Sequence, residues 1–95
     1  MTERQSFASV WDAIEDSPSE AENMKLRAEL LRAILTQADT WHGSDGEKAR
    51  HLGITAPRFS NLKAGKINAF SLDALVSLAV AAGLHVSLAI SGQAA

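Results

Sequence analysis

Arg58 and Asn61 are the side chains in this 95-residue sequence best suited to reading another molecule. A guanidinium donates a bidentate pair to guanine, and a carboxamide pairs with adenine through one donor and one acceptor. Around them stand Thr55, Ser60, Lys63 and Lys66, with donors for phosphate oxygens, and Ala56 and Pro57, which offer apolar contact to a thymine methyl. Lys48 and Arg50, slightly upstream, can also reach a phosphate backbone. The chemistry gathered here is that of a surface for double-stranded DNA.

Catalysis has no comparable set. His42, His51 and His85 lack metal-ligand spacing, and there is no cysteine to act as nucleophile or ligand. Glu47 and His51 share a helix face at i, i+4, which suits a surface ion pair better than a catalytic dyad. His51 alone reads either as an imidazole beside a phosphate or as a solvated residue near a helix end. There is no H-E-x-x-H, no G-x-S-x-G and no glycine-rich phosphate loop. The expectation is therefore a non-enzyme with no metal and no cofactor.

The elements that must position Arg58 and Asn61 are two short helices. The first is expected from Asp45 to Leu52, with Ser44 as N-cap and Gly53 supplying the left-handed residue that ends it. Ile54 is an apolar plug between the helices. Thr55 caps the second, Pro57 sits in its first turn, and Gly65 closes it after about Ala64. Ala49, Leu52, Ile54, Phe59 and Leu62 form the buried seam, so Ala56, Pro57, Arg58, Ser60, Asn61 and Lys63 face outward. Helix, tight turn and helix in this spacing make a DNA-binding helix-turn-helix.

A long helix is expected before this pair, from about Pro18 to Ala38. Ser17 is its N-cap and Glu20 the reciprocal capping partner. Its apolar stripe is Ala21, Met24, Ala28, Leu31, Ile34, Leu35 and Ala38, with Glu22, Arg27 and Glu29 as solvated surface charges. Trp41 caps the core in the following turn. Beyond the pair, Phe70 is expected to be buried. Ser71 then caps a helix from about Leu72 to Ala82, apolar nearly all round and so suited to lie between two layers. Leu84, Val86, Leu88 and Ile90 alternate on one face of a strand that also contains Ser87. One strand alone leaves its backbone groups unpaired. The natural partner is the same strand of a second copy, antiparallel about a two-fold axis, with Ser6–Trp11 of the same chain as the alternative.

The first 16 residues read as an arm. Phe7, Val10, Trp11 and Ile14 recur at i, i+3, i+4 and i+7, one face of a short amphipathic helix. That face either folds back on the chain's own core or docks on a partner protein. The chain thus divides into an arm, residues 1–16, and a helix-turn-helix domain, residues 17–95. The fold class expected is all-α, with four to five helices and one C-terminal strand pairing across a dimer.

Charge follows the same division. In residues 1–24, Glu3, Asp12, Glu15, Asp16, Glu20 and Glu22 outweigh Arg4 to give −5. In residues 45–66, Lys48, Arg50, Arg58, Lys63 and Lys66 outweigh Asp45 and Glu47 to give +3. A net charge of −2 therefore conceals a basic centre, and a phosphate backbone meets the local field. Within that centre Asp45 would repel a phosphate unless it serves as a cap, and Ala56 has no side-chain donor. No apolar run approaches the roughly 20 residues of a membrane helix, and no signal peptide is evident, so the expected location is cytoplasmic.

The chain resembles the Cro/repressor-like (XRE) helix-turn-helix regulators, and among them the HigA-like antitoxins. The resemblance runs from about Val10 to Ile90. Its most specific part is Leu52-Gly53-Ile54-Thr55-Ala56-Pro57-Arg58-Phe59-Ser60-Asn61-Leu62 with Gly65-Lys66. Supporting pieces are Val10–Ile14, Lys25–Leu30, Phe70–Leu75 and Ala81–Leu84. The resemblance implies a homodimer on an operator, often that of its own promoter, and a small RNA-cleaving toxin as a possible partner. Asp45 and Ala56 stand where that family usually carries glutamine.

Overall fold

The computed structural model describes residues 17–92. Four α-helices follow in order, α1 (Pro18–Ala38), α2 (Asp45–Leu52), α3 (Ala56–Lys63) and α4 (Leu72–Ala81), with a 3-10 turn at Ile67–Ala69 before α4. Each α-helix starts on a hydroxyl cap. Ser17, Ser44, Thr55 and Ser71 accept from the backbone N–H three residues on, satisfying one of the donors a helix start leaves free. At α2 the box is reciprocal, since Ser44 N donates to Glu47 Oε1 at 2.8 Å. At α1 only the Ser17 half forms: Glu20 N donates to Ser17 Oγ at 3.4 Å.

The turn between α2 and α3 depends on Gly53, whose φ of +76° lies in the left-handed region. Ile54 N then donates to Ala49 O at 3.0 Å, which turns the chain sharply enough for α3 to pack back on α2. Ala49 and Leu52 from α2 and Phe59 and Leu62 from α3 are buried. They join Ile34 and Ala38 of α1, Phe70, and Leu75, Leu78 and Ala79 of α4 in one core, with Ile54 and Trp41 packed at its edge.

The stripe expected along α1 holds in the second half of the helix, where Ile34 and Ala38 are buried and Leu31 and Leu35 pack against the core; Ala21 at its start is exposed, and Leu30, off that stripe, also packs against the core. A 21-residue helix is about 31 Å long, and its buried residues, Ile34 and Ala38, both lie in its second half. Arg27 is likewise not a solvated charge. It is half-buried, and its Nη1 donates to Phe70 O at 3.2 Å and Ile67 O at 3.4 Å. Arg27 lies two turns before Ile34, only about 20° off the same helical line, so it points toward the domain.

The surroundings of α4 also differ from expectation. Leu75, Leu78 and Ala79 are buried, but Val80 is 61% exposed, so among the described residues the helix is covered on one side and not on the flank that carries Val80. From Leu84 to Ile90 there is no strand. Among the described residues the last backbone hydrogen bond is Leu84 N to Ala79 O at 2.9 Å. A ladder needs a second extended segment, and residues 17–92 supply none; Ser6–Trp11, the alternative partner, lies outside the described residues. Leu88 and Ile90 are consequently 78% and 84% exposed.

Candidate nucleic-acid interface

The inward side of α3 is fixed by Phe59 and Leu62, 2% and 0% exposed. Its opposite ridge therefore faces solvent. Ala56, Pro57, Ser60 and Lys63 are exposed there, and Asn61 is half-buried beside them. The Thr55 hydroxyl oxygen accepts from Arg58 N at 3.2 Å as the cap, which leaves its O–H free to donate outward. Lys66 is exposed just past α3, where its own N–H donates to Asn61 O at 3.0 Å and closes the helix. Lys48 and Arg50 flank the buried Ala49. Positions two apart leave a helix about 200° from each other, so these two cations diverge.

Two of the expected donors are held by the protein itself. Lys63 Nζ lies 2.9 Å from Asp45 Oδ2, an exposed ion pair that ties the end of α3 to the start of α2. Asp45 is thus neither the cap, which is Ser44, nor a bare repulsive charge. Arg58 does not extend along the outward ridge. Its Nη1 donates to Ala69 O at 2.9 Å, and its guanidinium carbon lies 4.3 Å from the centroid of the Phe70 ring, a cation–π arrangement. Arg27 approaches the same turn from α1. The carbonyls of Ile67, Ala69 and Phe70 thereby receive bonds from two guanidinium groups. Arg27 Nε is buried without a partner among the described residues.

The Glu47–His51 pair does not form. Glu47 is taken up by the capping box, while His51 stacks on Trp41 with ring centroids 4.0 Å apart and planes 15° from parallel. Trp41 thereby links the turn after α1 to the last turn of α2. The sequence reading missed this stack because ten residues separate the two rings and no helical spacing joins them. Among the described residues no three His, Asp or Glu side chains come together to hold a metal ion. No helix of the described residues is long and apolar enough to cross a membrane.

A capped helix, a glycine turn, a second helix with a polar outward ridge and a shared apolar seam make a helix-turn-helix in three dimensions. The family model described as "Helix-turn-helix domain" matches residues 13–91. The chain belongs to the helix-turn-helix domain family. No curated protein and no solved structure matches it significantly. In a helix-turn-helix protein α2 is the helix that crosses the DNA backbone and α3 the one that enters the major groove. Family membership therefore supports a DNA-binding regulator as the class of function.

Proposed function

We propose that this helix-turn-helix protein is a sequence-specific transcriptional regulator of the antitoxin type. It acts as a dimer on a pseudo-palindromic operator and represses its own promoter. The observation that carries the reading is the outward ridge of α3, where Ala56, Pro57, Ser60 and Lys63 stand exposed opposite the buried Phe59 and Leu62. Asn61 is the base-reading residue on that ridge. Lys48, Arg50, Lys66 and the Thr55 and Ser60 hydroxyls contact phosphate.

The dimer is supported by the C-terminal segment. Val86, Ser87, Leu88 and Ile90 leave a row of backbone groups without partners among the described residues, and Leu84, Val86 and Leu88 border a groove of about 410 Å³ between α1 and α4. Leu26, Leu30 and Ala33 of α1 and Leu72 and Val76 of α4 supply most of its apolar wall, with Glu29 also lining it. A second copy adding its own extended segment antiparallel to the first satisfies the backbone groups and covers the apolar flank. Two α3 helices then enter successive major grooves about 34 Å apart.

Selection from a pool of random duplexes tests the whole reading. The expected product is an inverted repeat with half-sites one helical turn apart, bound with an affinity that falls steeply as salt rises. A pool that yields no enriched sequence overturns it.

A second reading, a protein-interaction module with weak DNA binding that neutralises a toxin, is favoured by one observation: Lys63 and Arg58 are both engaged within the chain. Its anchors would be Phe7, Val10, Trp11 and Ile14 of the acidic arm, which lie outside the described residues. Deleting residues 1–16 separates the readings. A regulator keeps its DNA binding, whereas loss of capture of the protein encoded by the neighbouring gene assigns the arm to a toxin.

A further inference from the structure

We propose that Asp45 sets the DNA affinity of this domain by competing with phosphate for Lys63. The inference rests on the DNA-binding reading and adds a residue that weakens binding rather than promoting it. Asp45 is the first residue of α2 and Lys63 the last of α3. Their side chains meet at 2.9 Å across the two helices, with the lysine 50% and the aspartate 57% exposed. In a helix-turn-helix complex α2 crosses the backbone while α3 lies in the groove, so the pair stands at the rim where phosphates pass.

The energetics of such a pair divide into two parts. Holding two solvated side chains together stabilises little, because water screens the attraction and the side chains lose rotamer freedom. The ion pair therefore opens cheaply, and Lys63 can turn to a phosphate. The carboxylate nevertheless stays behind on a capped helix, within a Debye length of that phosphate, and repels it. Glu47 does not share this role: it leaves the helix about 200° from Asp45 and is bound to Ser44 N. Contact between Lys63 and DNA is thus an exchange of one anion for another, and its net gain is smaller than for a free lysine.

The test is fluorescence anisotropy of a labelled mixed-sequence duplex with the full chain and the variants Asp45→Asn, Lys63→Met, their double, and Asp73→Asn. Asp73 is a matched control: it too lies in the first turn of a helix, α4, and its change alters net charge equally. Asp45→Asn is expected to tighten binding roughly three- to tenfold at moderate salt, with the gain shrinking as salt rises. Asp73→Asn is expected to change it less than about twofold, since Asp73 holds no cation among the described residues and so competes with phosphate for none. Lys63→Met is expected to cost more in the Asp45→Asn background than in the unaltered chain. If the unaltered chain binds and Asp45→Asn gains no more than Asp73→Asn, the assignment of Asp45 is overturned while DNA binding stands. Additive effects of Asp45→Asn and Lys63→Met overturn it as well. If none of these proteins binds the duplex at low salt, the DNA-binding reading falls, and this inference falls with it.

Discussion

The Arg58 guanidinium lies 4.3 Å from the centroid of the Phe70 ring while donating to the carbonyl of the neighbouring Ala69. One side chain of α3 therefore braces the turn that leads into α4. Phe70 is only 1% exposed, so this brace sits on the wall of the core. Asn61, the base-reading residue of the proposed function, makes no side-chain hydrogen bond among the described residues.

Arg58→Ala and Asn61→Ala should accordingly separate. Arg58→Ala removes one hydrogen bond to a carbonyl and one cation–π contact, and urea denaturation should show a loss of about 1–2 kcal/mol. Asn61→Ala should change stability by less than about 0.5 kcal/mol. It should weaken binding to the selected duplex by about 1–3 kcal/mol and relax one base position. Equal stability losses in the two variants would contradict this division of labour.

Arg27→Met keeps an unbranched apolar stem but leaves the Ile67 and Phe70 carbonyls without their guanidinium donor. Thermal or urea unfolding should report a loss of about 1–3 kcal/mol, the cost of stranding acceptors at a half-buried site. Lys25→Met, two residues away on the exposed side of α1, should be close to neutral. A neutral Arg27→Met would mean that water serves the turn equally well.

Proline at Ser87 or Leu88 should block the proposed pairing of the C-terminal segments, because proline lacks the N–H a ladder requires. Both positions are exposed in the single chain, so the fold of residues 17–83 should survive. Sedimentation equilibrium should then find a monomer, and operator binding should lose its steep dependence on protein concentration. A dimer that persists in both variants places the interface elsewhere.

Much of the framework was legible from local chemistry. Ser17, Ser44, Thr55 and Ser71 mark the helix starts and Gly53, Gly65 and Gly83 the stops, because a cap or a left-handed residue is set by its immediate neighbours. The spans expected for α1 and α2 coincide with those observed, and α3 and α4 end one residue earlier than expected. The seam of Ala49, Leu52, Phe59 and Leu62 followed from apolar spacing alone.

The destinations of the long cations did not follow. Spacing tells which side of a helix Arg27, Arg58 or Lys63 leaves from, but each side chain is flexible enough to reach several partners. Where it lands depends on which carbonyls and carboxylates other elements present nearby. The turn at Ile67–Ala69 lies 40 residues from Arg27 along the chain, and Asp45 lies 18 from Lys63. The sequence by itself determined the helices, their caps and the buried seam, since these depend on neighbours within a few residues. Only the tertiary structure decided which cations face outward and which are bound within the protein, because those pairings are contacts between elements that only the fold brings together.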